Sequence, residues 1–413
     1  MATIIPFKGI RPVKDKVHLV ASRSVDTYNF RDLNEKLATN PYSFLHVINP
    51  DFGDEQKTKP GSPERLQKVK SKYLKFLKEK VFTAEAKDCY YIYQQIKGGN
   101  TYTGIIGCTS IDDYYNGVIK IHEQTLTERE KKLKEYLEIC DFNAEPVLFG
   151  YHDDQKINET VAQLITSEPT YNFTTTDMVT HKLWVVEQEE KVWMIRERFK
   201  QIQAVYIADG HHRSASSALL GVSRRMHNKN HTGREPYNYY LGIFFPESQL
   251  KIFDFNRIVK DMNGLSEKEF IQRLSEKFEI KEKDALYKAE HLHNLSMYLN
   301  GKWYSLTFKK ELYDDNSPME SLDAHLLTKH LLSPILNIYD LKTDKRISFV
   351  SGIKGMEELK KQVDGGQYRV AFGLFPVSIQ QLKNIADTNN IMPPKSTWVE
   401  PKMRSGLVIY NLS

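Results

Sequence analysis

Cysteine is scarce: three in 413 residues, Cys89, Cys108 and Cys140. They form no C-x-x-C pair and no metal-ligand spacing. That argues against a disulfide framework or thiolate metal site and predicts small buried hydrophobes in a reducing compartment. Long apolar runs are missing too, so no segment approaches the roughly 20 residues that span a bilayer. The opening Met1–Gly9 lacks the apolar core of a signal peptide, and a cytoplasmic location is expected. Charge of one sign is not in excess. The 58 basic and 53 acidic residues leave a net +5, spread along the chain, so nucleic acid is not an expected partner. Internal repeats and long low-complexity tracts are also absent. What is present is an ordinary globular composition, 40% hydrophobic and 27% charged, over a length that favours two domains.

Local signals alternate between helix and strand, which gives an α+β class with a second, mixed α/β domain. Asp51 to Gly61 reads as a flexible stretch. Ser62-Pro63-Glu64 supplies an N-cap, a first-turn proline and a first-turn acid for a helix to about Lys80. Cys89 to Lys97 and Thr101 to Cys108 read as strands joined at Gly98-Gly99-Asn100 in a hairpin. Helices are expected over Thr127–Cys140 and Gln155–Thr166, and strands near Val147 and over His181–Glu187. Charged groups such as Lys68, Lys70 and Lys72, or Arg129, Lys131 and Lys132, read as solvated helix faces. The polar run Arg224–Glu235 is taken as the boundary between domains 1–230 and 231–413. A strand over Tyr237–Phe245 opens the second domain, and a proline-rich segment, Met392–Gly406, nearly closes it.

The sharpest chemical signal is Asp209-Gly210-His211-His212-Arg213. A short apolar strand, Gln203–Ile207, precedes it, and a small-residue helix, Ser214–Met226, follows. Glycine lets the backbone turn tightly and approach a ligand. The first N–H groups of a helix have no intrahelical partner, and the helix dipole favours an anion there. Arg213 can fork onto phosphate oxygens, and either histidine can move a proton near neutral pH. Asp209 can hold a metal ion, orient a histidine or act as a base, and Ser214 adds a hydroxyl at the helix start. The plain alternative is a strand-to-helix turn capped by Asp209, with both histidines facing solvent.

Two further groups carry candidates. In Lys120-Ile-His122-Glu123-Gln-Thr125, an adjacent imidazole and carboxylate form a potential acid/base pair, with Lys120 as a phosphate contact. The same pair can equally be a surface feature ahead of a helix. Near the end, Lys395, Ser396, Thr397, Lys402 and Arg404 gather cations and hydroxyls among prolines that forbid a regular helix. Lys395, Ser396 and Arg404 are candidate substrate contacts in a loop that closes over a phosphorylated ligand. The alternative is a structural strap anchored by Trp398.

Ala208–Arg213 resembles the signature of the domain-of-unknown-function 1015 family. Further stretches look like family blocks: Pro41–Pro50, Ile119–Thr125, His181–Trp184, Asp344–Ile347 and Met392–Gly406. Where family members often carry Pro-Tyr-Asp, this chain reads Ser24-Val25-Asp26. The Asp-Gly-His-x-Arg core also resembles the turn of the ParB/sulfiredoxin-like superfamily, whose members include chromosome-partitioning proteins, sulfiredoxin and a free serine kinase. That resemblance implies a ParB/sulfiredoxin-like N-terminal domain, with nucleotide phosphates on the helix after the turn. Asp209, Gly210, His211 and Arg213 would fall on the shared positions and His212 on the variable one.

These readings converge on phosphoryl transfer to or from a small hydroxy amino acid. The expected reaction is an O-phosphoserine phosphatase or phosphotransferase, or a serine kinase. Serine, O-phosphoserine, ADP or ATP and Mg²⁺ at Asp209 are the implied small molecules. The candidate catalytic residues are Asp209, His211, His212, His122 and Glu123. A nucleotide-binding regulatory module like the partitioning proteins is the alternative, although neither half shows a helix-turn-helix. Sulfiredoxin-like repair fits least, since no cysteine lies within sixty residues of the turn.

Overall fold

A computed structural model describes all residues, Met1–Ser413, and the chain forms two compact units. The first comprises Met1–Lys120, Thr125–Leu250 and Pro401–Ser413, and the second Ile121–Gln124 and Lys251–Glu400. The architecture is α+β.

The first unit is built on a nine-stranded mixed sheet. Its strands in chain order are β1 (Ile4–Ile5), β2 (Tyr90–Lys97), β3 (Asn100–Ser110), β4 (Ile119–Lys120) and β5 (Val147–Tyr151), followed by β6 (Tyr171–Thr174), β7 (Thr180–Val186), β8 (Val205–Asp209) and β9 (Tyr239–Pro246). The spatial order is β4-β8-β5-β9-β3-β2-β7-β6, with β1 on β3. β4 runs parallel to β8 and β5 parallel to β9, while the other pairs are antiparallel. The β2–β3 hairpin turns on Gly98 and Gly99, whose φ of 54° and 78° suit a two-residue turn with both central residues left-handed.

Five of the longer helices pack in this unit, and two of them begin on side-chain caps. They are α1 (Pro63–Lys78), α2 (Thr127–Cys140), α3 (Gln155–Leu164), α4 (Glu189–Phe199) and α5 (His211–His227). Ser62 accepts from the Arg65 N–H at the start of α1, with Pro63 in the first turn. Asp154 does the same for Ile157 in α3. Ile195 and Phe199 of α4 and Ala218 of α5 join Ile92, Ile105, Phe149, Ile207 and Phe244 from the sheet in one core. A second core gathers Val69 and Phe76 of α1 with Val20, Phe44, Phe82, Phe142 and Ile409. Cys89, Cys108 and Cys140 are free and buried, as their composition suggested.

Three expectations change. The first unit runs past 230 to Leu250 and takes in Pro401–Ser413 as well, because β9 lies between β5 and β3 inside the large sheet. The run Arg224–Glu235 is no linker at its start: Arg224 and Arg225 belong to α5 and pair with Asp141 and Asp112. Asp51–Gly61 is pinned rather than loose at its head. Asp51 is buried and accepts from Arg65 at 2.5 Å, Lys68 at 2.8 Å and Thr58.

The last thirteen residues return to the first unit. Ser405 and Ser22 exchange backbone hydrogen bonds, the Gly406 N–H donates to the Ala144 carbonyl, and Tyr410–Asn411 pairs with Phe142–Asn143. Arg404 anchors this return. Its guanidinium grips both Asp177 oxygens at 2.8 and 2.9 Å, donates to Thr175, and donates through Nε to Nε2 of His181. With Nε2 accepting, His181 Nδ1–H faces the Tyr93 hydroxyl at 2.7 Å, and that hydroxyl donates to Gln95.

The second unit holds a six-stranded antiparallel sheet of β10 (Phe255–Val259), β11 (Phe278–Lys283), β12 (Asn294–Leu299), β13 (Lys302–Phe308), β14 (Ile347–Ser351) and β15 (Val370–Gly373). The order is β11-β13-β12-β15-β10-β14. Met297, Leu306 and Phe372 belong to a large core with Leu326, Leu331 and Leu336, while Ile258, Tyr298 and Ala371 join a smaller one with Met356 and Leu359. The part of the proline-rich segment up to Glu400 is strapped down within this unit. Arg257, fully buried, donates to the carbonyls of Phe255, Lys395 and Pro394, and Trp398 packs edge-on against Phe255.

Candidate functional site

β8 ends on an irregular pairing with β5, where the register shifts between Ile207 and Asp209. Such a shift re-aims the side chain at a strand's end. Gly210 follows with φ 104° and ψ 30°, and α5 begins at His211 with no side-chain cap. Sequence reasoning allowed Asp209 as the cap; the observed N-cap is Gly210 itself. The first N–H groups of a seventeen-residue helix therefore begin at this turn.

Arg213 folds back over the glycine. A Cβ at position 210 would lie 3.1 Å from Nε and Nη2 and 3.2 Å from Cζ of Arg213. The guanidinium is steadied there by the Pro146 carbonyl, which accepts from Nη1 at 2.6 Å. Asp209 lies 3.6 Å from Nη2, and Glu145 lies 3.9 Å from Nη1. Lys402, from the C-terminal return, reaches Asp209 at 3.2 Å, and the Ser405 hydroxyl donates to Glu145 at 2.5 Å. The backbone of Ser405 ties to Ser22, whose hydroxyl is 3.0 Å from that of Ser43. Two distant stretches, Glu145–Pro146 and Lys402–Ser405, thus meet at one turn. Its side chains carry two cations, Arg213 and Lys402, and two carboxylates, Asp209 and Glu145.

The remaining candidates fall in different places. His211 is buried and His212 half-buried, so the solvent-facing alternative does not hold for His211. Ser214 is fully buried, and its hydroxyl bonds the Tyr240 hydroxyl at 2.6 Å, which makes it a core contact rather than a phosphate ligand. Lys120 closes β4, whose Ile119 and Lys120 pair with Val205 and Tyr206 of β8. His122 and Glu123 belong to the second unit. His122 is buried, and burial pulls its imidazole down to about 4, leaving it neutral at pH 7, whereas Glu123 is exposed. The two neighbours therefore sit in unlike surroundings.

Lys395 and Ser396 also belong to the second unit. Lys395 is exposed with φ 55° and its ammonium 5.5 Å from the Phe255 ring centre, and Ser396 donates to the Pro393 carbonyl. Both side chains serve the strap. Arg404 is committed to Asp177 and His181, as described above, and is a structural anchor. Glu145 was missed because nothing local marks it; only its neighbour Pro146, through its carbonyl, shows how the segment meets Arg213. No group of three or more His, Cys, Asp or Glu side chains is placed to hold a metal ion.

A family model described as "Protein of unknown function (DUF1015)" matches residues 4–325. No match emerges among curated proteins. Among solved structures, a mutant free serine kinase in complex with AMP aligns with 13% identity over 74% of this chain and 90% of its own, with a TM-score of 0.40. SbnI with a C-terminal truncation, from Staphylococcus aureus, aligns with 14% identity over 74% and 87%, with a TM-score of 0.41. A conserved hypothetical protein from Pyrococcus furiosus gives 15% identity over 74% and 94%, with a TM-score of 0.37. No helix is long and apolar enough to cross a membrane.

Proposed function

The chain belongs to the DUF1015 family, and we propose that its Asp209–Arg213 turn binds a phosphoryl group and moves it between O-phosphoserine and water or a nucleotide. The observation that carries this reading is Arg213 folded over Gly210 at the open start of α5. There a fork of N–H donors stands beside the start of a helix, where the helix dipole favours an anion. Serine as the amino acid, and ADP or ATP as the nucleotide, rest on the sequence resemblance of the motif. So does the ParB/sulfiredoxin-like assignment of the first unit.

In the forward sense, the bond from phosphorus to the serine oxygen breaks and a bond to the acceptor oxygen forms. The serine oxygen takes up a proton, and the acceptor, if water, gives one up. Arg213 and the N–H groups of the turn stabilise charge on the three outer oxygens. His212 or Asp209 handles the proton. Mg²⁺ fits only as a partner of the phosphate. Asp209 already carries Arg213 and Lys402, and one or two carboxylates hold Mg²⁺ well when phosphate oxygens complete its shell. The ion would then neutralise phosphate charge.

The test is to incubate the protein with O-phospho-L-serine and Mg²⁺, with and without ADP, and to follow serine, inorganic phosphate and ATP. Phosphate release marks hydrolysis and ATP formation marks transfer. No turnover in either direction, including from serine plus ATP, refutes the serine reading. Binding of a nucleotide without turnover would instead favour the regulatory-module reading.

A further inference from the structure

The residues matched by the family model end at 325, yet the turn is completed by residues from the last thirteen. We infer that Lys402 is the second phosphate-binding cation of this site, and that an incoming phosphate monoester takes Lys402 and Arg213 over from Asp209. The inference rests on the phosphoryl-binding reading above and specifies its ligand as a dianionic monoester rather than a diester.

Three observations support it. First, Lys402 is placed by the anchored chain that follows it. Two residues on, Arg404 is locked to Asp177 and His181, and three residues on, Ser405 pairs with Ser22. The ammonium is thus delivered to Asp209 by a built strand of chain.

Second, the Lys402–Asp209 and Arg213–Asp209 contacts are 3.2 and 3.6 Å long, between side chains that are 29–42% exposed. Ion pairs of that exposure contribute little to stability. Exchanging Asp209 for a phosphate oxygen therefore costs little, and the phosphate offers more acceptors.

Third, the charges fit a dianion. Arg213 and Lys402 supply two positive charges beside the start of α5, and the two negative charges of a dianion replace Asp209 and Glu145 as their partners. A diester carries one negative charge, whereas a monoester above its second ionisation near pH 6 carries two. A Lys ammonium is a compact point charge with three donors, which complements the planar fork of Arg213.

The experiment measures binding of O-phospho-L-serine and of inorganic phosphate to the full chain by calorimetry, from pH 5.5 to 8, for wild type and for Lys402→Gln, Lys402→Arg and Arg213→Ala. Circular dichroism and a thermal scan show whether each variant folds. The expected result is a roughly 10- to 100-fold weaker affinity for Lys402→Gln at pH 7.5, as for loss of one charge-assisted hydrogen bond. For O-phospho-L-serine the gain in affinity on passing pH 6 should flatten in that variant, and Lys402→Arg should restore most of it. If folded Lys402→Gln binds like wild type while Arg213→Ala does not, Lys402 is no phosphate ligand and the inference falls, leaving the turn's function intact. If wild type binds neither probe, the phosphoryl reading itself fails and the inference goes with it.

Discussion

Replacing Gly210 by alanine strikes the turn twice, and the two costs can be estimated separately. The backbone at this position has φ 104°, where any residue with a Cβ is strained by about 1–3 kcal/mol. The new methyl would also stand 3.1 Å from two guanidinium nitrogens, so Arg213 must give by a few tenths of an ångström, which weakens its 2.6 Å bond to the Pro146 carbonyl. A bond with a charged donor is worth about 1.5–3 kcal/mol, and the partial exposure of Arg213 reduces that to about 1 kcal/mol. The total is about 2–4 kcal/mol. For a unit this large it lowers the thermal midpoint by roughly 4–16 °C, at about 2–4 °C per kcal/mol. Because the displaced group is the phosphate fork, affinity for inorganic phosphate should fall at least about tenfold, equivalent to about 1.4 kcal/mol. Scanning calorimetry gives the first quantity and titration calorimetry the second. A Gly210→Ala protein whose midpoint and phosphate affinity both match wild type would refute the geometry assigned to this turn.

Two further outcomes follow from the surroundings. His181 is fully buried, and burial first and Arg404 second hold its imidazole at about 3, below the ordinary 6.5. The unfolded chain therefore binds the proton first as pH falls, and stability should drop below pH 6.5 by up to about 1.4 kcal/mol per pH unit for this group, continuing toward pH 3. Urea titrations at pH 7, 6 and 5 check this, with a shallower slope expected for His181→Gln; identical slopes would show that the histidine is not buried neutral. Ser214→Ala orphans the Tyr240 hydroxyl and should cost about 1–3 kcal/mol in the same urea assay. Its phosphate affinity should be unchanged, and a large loss of affinity would return Ser214 to the phosphate site.

The parts of the fold legible in the sequence are those written in neighbouring residues. The cap and proline at Ser62-Pro63, the paired glycines at 98 and 99, and the apolar run before Gly210 each act within a few positions. α1, the β2–β3 hairpin and the β8–α5 turn accordingly lie where those signals put them. The compact units divide elsewhere than at 230 because β9 is recruited between β5 and β3 by pairing, which no local pattern in Arg224–Glu235 could reveal. The site was half legible for the same reason. Asp209, Gly210 and Arg213 are adjacent in sequence, but Lys402 reaches Asp209 across 193 positions and Ser405 reaches Glu145 across 260. His122 and Glu123 are candidates as sequence neighbours, and burial of one but not the other could not be read from spacing. Arg404 and Ser396 were drawn into the candidate site by the cluster of cations and hydroxyls around them. The partners that commit Arg404, Asp177 and His181, lie more than 200 positions away.

The central claim, that Asp209–Arg213 handles the phosphoryl group, is tested most directly by comparing wild type and Arg213→Ala for product formation from O-phospho-L-serine with Mg²⁺ and ADP. Wild type should release serine together with phosphate or ATP, and the folded variant should be slower by about 100-fold or more, as for loss of a donor aimed at developing charge. Equal rates in the two proteins would place the chemistry elsewhere in the chain and contradict the account.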